Sequence, residues 1–295
     1  MQQHSDNEFV VDLLIALRRA HFSPRAWGFF LRRSWLMSCH TANANPTLQR
    51  SWRHVTTLIA LLALAALIGN SIFAGLADTL RLLPGFIFCT AWQQSDLFWH
   101  LGLNRQARSG KLLPTVGIAS TLTWLRGLGA AYLLDRLAGA LATPSWLALA
   151  IFLCGGATDI LDGLIARRAG TQSKLGQIAD AEADFCLYLS LTIILLQNGA
   201  LPLWVALVIA LRFIIPFVAV LLSYFVFAQP VRFGSTPWGR YAGLAQCLYF
   251  LVLLAPPPLS AFARPLHTPL LIVMLCLLIA APAAQIVANK CAILD

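Results

Sequence analysis

Four aspartates of this 295-residue chain have spacings that suit metal chemistry. Asp159 and Asp162 are three residues apart, and Asp180 and Asp184 are four residues apart. Residues three or four positions apart share one face of an α-helix, so each pair presents two carboxylates in one direction. Two neighbouring helices that turn these faces towards each other would form an all-oxygen site suited to Mg²⁺ or Mn²⁺.

The apolar surroundings of these aspartates limit what they can do. The chain is 59% hydrophobic, yet five of its 12 acidic residues lie between positions 159 and 184. A carboxylate at the centre of a bilayer costs about 2.5–3.5 kcal/mol, so the four must face water, pair with cations or bind metal. Any one alone could be a solvated loop residue, but four at helical spacing favour metal. The fifth acid, Glu182, lies off the Asp180–Asp184 face and is interpreted as solvated or locally paired.

Long apolar runs predict an integral membrane protein with several helices. The mean hydropathy is +0.73, and short loops link the apolar runs. Seven runs are strong candidates for transmembrane helices. An eighth, at 82–102, is weak because it contains the polar sequence WQQSD, and it is either a crossing or a re-entrant pair. The predicted spans are 55–77, 82–102, 116–134, 145–165, 178–198, 202–227, 240–256 and 268–289.

The basic residues indicate the orientation of the chain. The net charge is +9, and most Lys and Arg residues fall in loops on one side of the predicted spans. Cytoplasmic loops of membrane proteins carry such an excess. We therefore expect a multi-pass protein of the bacterial inner membrane whose acidic site faces the cytoplasm. The positive charge is explained without a nucleic-acid partner.

Three regions are predicted along the chain. Residues 1–54 form a cytoplasmic or interfacial segment, 55–110 add one or two transmembrane helices and a basic linker, and 111–295 form the domain that contains the four aspartates. In the first region, Ser23 and Pro24 predict a helix start. The apolar face of that helix either lies flat at the lipid headgroups or docks on the cytoplasmic loops; it comprises Trp27, Phe30, Leu31 and Trp35.

The acidic stretch DILDGLIARRAGTQSKLGQIADAEAD resembles the signature of the CDP-alcohol phosphatidyltransferase family, D-x2-D-G-x2-A-R-x8-G-x3-D-x3-D. All eight fixed positions are filled: Asp159, Asp162, Gly163, Ala166, Arg167, Gly176, Asp180 and Asp184. The resemblance covers roughly 115–289 and implies an all-α membrane fold with a six-helix core. The additional N-terminal helices and the amphipathic segment would precede this core.

The resemblance also implies a reaction, in which a CDP-linked alcohol gives its phosphoryl-alcohol group to a second alcohol and CMP leaves. The four aspartates would hold two divalent ions, Mg²⁺ or Mn²⁺, and Asp184 would also act as the base. The expected contacts to the CDP part are Gly163, Ala166, Arg167, Ser173, Gly176, Thr123 and Arg126. The family resemblance further implies a homodimer.

Two of these contacts come from the stretch STLTWLRGL, which resembles the family pattern N-x-L-T-x-x-R with Ser120 in place of Asn. Thr123 and Arg126 remain at their expected positions. An arginine just inside a span rarely faces lipid. Arg126 is therefore expected to contact the substrate or the acidic cluster, and the alternative is that it snorkels to the headgroups.

Three arginines suggest which alcohol accepts the phosphatidyl group. Arg212, Arg232 and Arg240 are arranged as in phosphatidylglycerophosphate and cardiolipin synthases of the same family, although Gly239-Arg240 replaces a more usual Gly-Lys. They would suit an acceptor that carries its own phosphate, such as glycerol 3-phosphate. Arg232 and Arg240 could instead simply follow the positive-inside rule.

The leading hypothesis is a membrane phosphatidyltransferase of phospholipid biosynthesis that uses CDP-diacylglycerol, an alcohol acceptor and membrane lipids. One alternative is an aminoalcohol phosphotransferase that uses CDP-choline or CDP-ethanolamine with diacylglycerol, because the same signature serves that chemistry. An alternative from another class is a cation transporter with an acidic intramembrane site. Cation transport does not require Gly163, Ala166, Arg167 and Gly176 at their spacing.

Overall fold

The computed structural model describes residues 6–106, 109–141, 143–226 and 237–294, and within these ranges the chain is helical. Besides the α-helices there are a short 3-10 helix at Leu101–Leu103 and two isolated β-bridges. The α-helices are α1 Asp6–Arg19, α2 Pro24–Ala44, α3 Pro46–Ala74, α4 Leu76–Trp99, α5 Ile118–Ala138, α6 Ser145–Ala169, α7 Lys174–Gln197, α8 Leu203–Phe225, α9 Pro237–Leu253 and α10 Pro257–Leu294.

Three of the described helical segments are long and apolar enough to cross a membrane. They are α3, α6 and the Pro257–Ala281 part of α10, and a shorter apolar stretch lies at Leu203–Ala219. The predicted spans at 55–77, 145–165 and 268–289 overlap these three segments. The other five predicted spans also overlap helices, and that they cross the bilayer stays a prediction.

The chain divides into two compact units. The first unit contains α1–α5 and most of α6 and α7, and it holds all four aspartates of the acidic stretch. The second unit contains α9, α10 and most of α8. Within the second unit, α9 packs against α10, where Tyr249 and His267 form a hydrogen bond of 3.3 Å between the hydroxyl and Nε2.

Helix α2 begins where the sequence predicts and docks on the end of α4. Pro24 is its first residue, and the Ala26 N–H donates to Ser23 Oγ at 3.4 Å. Further along α2, Ser34 Oγ accepts a hydrogen bond of 2.6 Å from Trp99 Nε1 of α4, and the ring centroids of Trp35 and Trp99 are 5.8 Å apart. Part of this helix thus docks within the protein, whereas Leu31 and Trp35 of its apolar face are exposed, and that this face meets lipid headgroups stays a prediction.

Helices α3 and α4 form a hairpin that encloses the polar residues of the weak span. Helix α4 is continuous from Leu76 to Trp99, so this segment is not a re-entrant pair. Gln94 is buried, and its Oε1 accepts a hydrogen bond of 3.1 Å from Thr56 Oγ1 of α3. Helix α3 begins at Pro46, earlier than the predicted span, because the helix extends beyond its most apolar stretch.

The α3–α4 hairpin also contacts α5 through buried polar side chains. Helix α5 is the first helix of the region that resembles the family. Asn70 on α3 lies at the centre of these contacts, where its Nδ2 donates to Thr79 Oγ1 at 2.9 Å. Its Oδ1 accepts from the Tyr132 hydroxyl at 2.7 Å and from Arg136 Nη1 at 2.8 Å. Buried polar groups that satisfy one another in this way fix the relative position of the helices that carry them.

Helices α6 and α7 are separated by only four residues. Gly170, with φ of 63°, ends α6, and the Thr171 N–H donates to the Ala166 carbonyl at 3.1 Å. A left-handed glycine with this bond is a common helix stop. Ser173 then begins α7 by accepting a hydrogen bond of 3.1 Å from the Gly176 N–H. This short turn lets the two helices place their aspartates side by side.

Candidate active site

The turn between α6 and α7 brings three of the predicted ligands together. Asp159 and Asp162 on α6 and Asp180 on α7 each offer a carboxylate oxygen, and these three oxygens lie within 4.8 Å of one another. Asp162 is buried and Asp159 is exposed, so the group extends from the protein interior to the surface. The predicted meeting of the two helix faces is thus present in the structure.

Arg126 of α5 lies among all four aspartates. Its Nη1 is 2.7 Å from Asp159 Oδ1 and 3.3 Å from Asp184 Oδ1. Its Nη2 is 3.6 Å from Asp162 Oδ2 and forms an ion pair with Asp180 Oδ1. The side chain of Arg126 is 1% exposed, so it does not snorkel to the headgroups. Of the alternatives for this arginine, the contact with the acidic cluster is the one that the structure contains.

Thr123 is one helical turn before Arg126 and touches the most buried aspartate. Its Oγ1 donates to Asp162 Oδ2 at 2.9 Å, in a bond that is itself buried. A hydroxyl that hydrogen-bonds to a carboxylate fixes the direction of the remaining lone pairs. The two α5 residues that were predicted to contact the CDP part therefore both contact aspartates directly.

Gly155 brings α5, α6 and α7 into close contact around this cluster. A Cβ atom at Gly155 would lie 2.7 Å from Leu187 Cδ2 of α7 and 3.6 Å from Arg126 Cγ of α5. One turn away, a Cβ at Gly129 of α5 would lie 3.1 Å from Ile151 Cγ2 of α6. Small residues at such crossings let membrane helices approach closely. Sequence reasoning missed both glycines, because their spacing carries no chemical signal.

The signature residues near the turn have distinct local roles. Arg167 lies over Gly163, because a Cβ at that glycine would come 2.9 Å from Arg167 Nη1. The space over Gly163 therefore admits an exposed guanidinium, which a larger residue would displace. Gly176 faces Ser173 and Ser120, whose Oγ atoms would lie 3.4 and 3.7 Å from an added Cβ. Ala166 contributes its carbonyl to the end of α6.

The fifth acidic residue is exposed, which fits the interpretation that it is solvated or locally paired. Glu182 is exposed on α7 and lies near Asp96 of α4. Asp96 Oδ1 is in turn 3.0 Å from His100 Nδ1. The position of Asp96 near Glu182 places the α3–α4 hairpin next to α7, at a point between Asp180 and Asp184.

Two of the three predicted acceptor arginines, Arg212 and Arg240, belong to the second unit. Arg212 of α8 donates from Nη1 to Gln246 Oε1 and, at 3.5 Å, to the Ala242 carbonyl of α9. Gly243 provides the space for this contact, since an added Cβ would lie 3.2 Å from Arg212 Nη2. Arg240 is exposed on α9, whereas Arg232 lies outside the described residues. Their role with an acceptor stays a prediction.

The donor set of the acidic cluster fits a divalent cation. Three carboxylate oxygens lie within 4.8 Å of one another, and Asp184 contacts the same arginine as these three aspartates. Oxygen ligands at this density are those that Mg²⁺ and Mn²⁺ prefer over softer metals. The four aspartates are therefore able to bind such an ion once their contacts with Arg126 rearrange.

The comparisons with known proteins agree with the site. A family model described as CDP-alcohol phosphatidyltransferase matches residues 116–289. The cardiolipin synthase (CMP-forming) of Streptomyces coelicolor is 40% identical over 65 residues, which make up 22% of this chain and 30% of that protein. The chain thus matches less than a third of the length of that curated relative. No solved structure matches the chain.

Proposed function

This chain belongs to the CDP-alcohol phosphatidyltransferase family, and we propose that it transfers a phosphatidyl group from CDP-diacylglycerol to an alcohol, with release of CMP. The observation that carries the proposal is the gathering of the signature aspartates on two facing helices. Three of their oxygens lie within 4.8 Å of one another, inside the region that the family model matches. Cation transport alone does not require the glycines and the arginine of the signature.

Asp159, Asp162, Asp180 and Asp184 would hold two divalent ions. When bound, such ions neutralise a diphosphate and stabilise the leaving nucleotide. Asp184 accepts the proton of the acceptor hydroxyl, whose oxygen forms a bond to the phosphatidyl phosphorus. The bond from that phosphorus to the CMP oxygen breaks, and CMP leaves with the electron pair. Arg167, exposed over Gly163, offers a planar pair of donors to a phosphate oxygen of the CDP part.

The acceptor that we propose is glycerol 3-phosphate or a related phosphorylated or lipid alcohol. Three arginines of the second half of the chain support a phosphate-bearing acceptor: Arg212, Arg232 and Arg240. A guanidinium forms paired hydrogen bonds with phosphate oxygens. The partial similarity to a cardiolipin synthase (CMP-forming) is consistent with this choice. We further place the site at the cytoplasmic face of a bacterial inner membrane, in a homodimer.

The proposal is tested by CMP release from purified full-length protein in lipid nanodiscs. CDP-diacylglycerol is supplied with Mg²⁺ or Mn²⁺ and a panel of acceptors, among them glycerol 3-phosphate, and CDP-choline is tested separately with diacylglycerol. We expect CMP only from CDP-diacylglycerol, and most rapidly with a phosphate-bearing acceptor. CMP from CDP-choline instead would favour the aminoalcohol phosphotransferase. No CMP with any pair from folded protein would contradict the proposal.

A matched pair of substitutions shows whether CMP comes from the acidic cluster. D180N removes one ligand charge from the cluster, whereas D78N makes the same change on α4. Asp78 lies 3.9 Å from Arg81 in an exposed pair, and exposed pairs contribute little to stability. We expect D180N to abolish CMP release and D78N to retain it. Equal rates for the two variants would exclude the cluster as the site of reaction.

A further inference from the structure

Arg126 carries an unusual number of contacts for a single side chain. Its two terminal nitrogens each contact two of the four carboxylates, while its stem is packed against Gly155. A guanidinium has five N–H donors in one plane, so it can bridge carboxylates that a point charge such as Lys cannot. Arg126 therefore compensates part of the repulsion between four acidic groups on adjacent helices.

The guanidinium and a divalent ion would both bind the same carboxylates. Arg126 Nη1 is 2.7 Å from Asp159 Oδ1, and Nη2 is paired with Asp180 Oδ1. Both aspartates also belong to the group whose oxygens converge closely enough to ligate a cation. A dication among these oxygens would lie within a few ångströms of the guanidinium, where like charges repel strongly at low dielectric.

We infer that Arg126 is an internal counter-ion of the four aspartates, which holds the cluster together and competes with the divalent ions for the same carboxylates. Metal loading then requires the guanidinium to withdraw from Asp159 and Asp180. This inference rests on the proposed function, because it takes the aspartates as the metal ligands. It assigns Arg126 as a positioning residue, which tunes metal affinity in addition to any contact with the substrate.

The packing around Arg126 limits where its head group can go. The Cγ and Cδ atoms would lie 3.6 and 3.7 Å from a Cβ at Gly155, so the stem is held in the helix crossing. A guanidinium that withdraws from Asp159 and Asp180 would therefore move by rotation about its distal bonds. Its Nε is buried and has no hydrogen-bond partner among the described residues.

Mn²⁺ binding to the purified full-length protein tests the competition directly. Free Mn²⁺ is followed by electron paramagnetic resonance during titration of the wild type and R126Q. R136Q is the matched control, because Arg136 is also a buried arginine of α5 but bonds to Asn70. We expect the Mn²⁺ dissociation constant of R126Q to fall about tenfold or more, since a nearby positive charge is removed. We expect R136Q to bind as the wild type does.

An unchanged or weaker affinity of R126Q would overturn the inference, and so would an equal gain in R136Q. R126Q could also unfold without metal, because its carboxylates lose their counter-ion. Thermal unfolding in chelator and in Mn²⁺ covers that case, since a ligand that binds only the folded state raises the melting temperature. The Mn²⁺-dependent rise should be larger for R126Q than for the wild type, and an equal or smaller rise would overturn the inference.

D180N separates the failure of this inference from the failure of the proposed function. If the wild type and D180N bind Mn²⁺ equally, the aspartates are not metal ligands, and both proposals are contradicted. If D180N loses Mn²⁺ binding while R126Q gains none, the proposed function survives and only the role of Arg126 is rejected. Loss in D180N together with a gain in R126Q supports both.

Discussion

At the scale of single residues, the site consists of four aspartates and two side chains of α5 that contact them, Thr123 and Arg126. The aspartates could be predicted from the sequence, because carboxylates at helical spacing in an apolar chain have few other roles. The groups that Arg126 contacts could not be predicted, because the substrate, the acidic cluster and the lipid headgroups would all attract a guanidinium. Only the packing of α5 against α6 and α7 decides between them, by burying Arg126 among the carboxylates.

Thr123 provides a residue-scale prediction. T123V keeps the shape of the side chain but removes the donor to Asp162 Oδ2. Loss of a group that orients a metal ligand commonly weakens metal binding by about 10–100-fold, and we expect a loss of this order for Mn²⁺. T123S retains the hydroxyl and should bind nearly as well as the wild type. Wild-type affinity in T123V would mean that this bond does not orient Asp162.

At the scale of helices, the sequence predicted the paired arrangement but not the contacts that set it. Predicted spans at 145–165 and 178–198 correspond to α6 and α7, with aspartates on both sides of a short loop. Gly155 and Gly156 look alike in sequence. Only the structure distinguishes them, because Gly155 meets Leu187 and Arg126 whereas a Cβ at Gly156 would have no atom within 4 Å.

This difference gives an element-scale prediction. Alanine is favoured over glycine in a helix by about 1 kcal/mol, and that gain is common to G155A and G156A. In G155A the new methyl group must displace the buried Leu187, and overpacking of this kind costs about 1–3 kcal/mol. We therefore expect G155A to melt below G156A and to release CMP more slowly. Thermal unfolding and the CMP assay compare the two variants, and equal behaviour would show that this crossing tolerates a wider separation.

At the scale of the whole chain, the sequence identified the membrane class and separated the N-terminal residues from the catalytic region. It did not indicate what the N-terminal helices do. In the structure, α3 and α4 hold α5 through Asn70, Thr79 and Arg136, and Asp96 lies near Glu182 of α7. Gln94 and Asp96 of the weak span 82–102 thus have partners within the protein, Thr56 and His100, which no hydropathy pattern reveals.

Membrane orientation is a prediction at this same scale. Gln172 is exposed in the turn between α6 and α7, and Asn198 is exposed just after α7. If α7 crosses the bilayer with the acidic site facing the cytoplasm, Q172C should react with a membrane-impermeant maleimide only from the cytoplasmic side. N198C should react only from the opposite side. Both variants are made in a cysteine-free background, and labelling of both from one side would exclude a crossing by α7.

The central claim is that the aspartates hold metal ions directly on the diphosphate of the substrate. CMP release is therefore measured with CDP-diacylglycerol in which sulfur replaces a non-bridging oxygen of the diphosphate. Hard Mg²⁺ binds sulfur poorly, while softer divalent ions accept it. We predict that the sulfur substrate reacts far more slowly than the oxygen substrate with Mg²⁺, and that Mn²⁺ or Cd²⁺ restores much of the rate. The sulfur is placed in turn at either non-bridging position on each phosphorus. The account would be contradicted if every such substrate reacted as fast as the oxygen substrate with every metal.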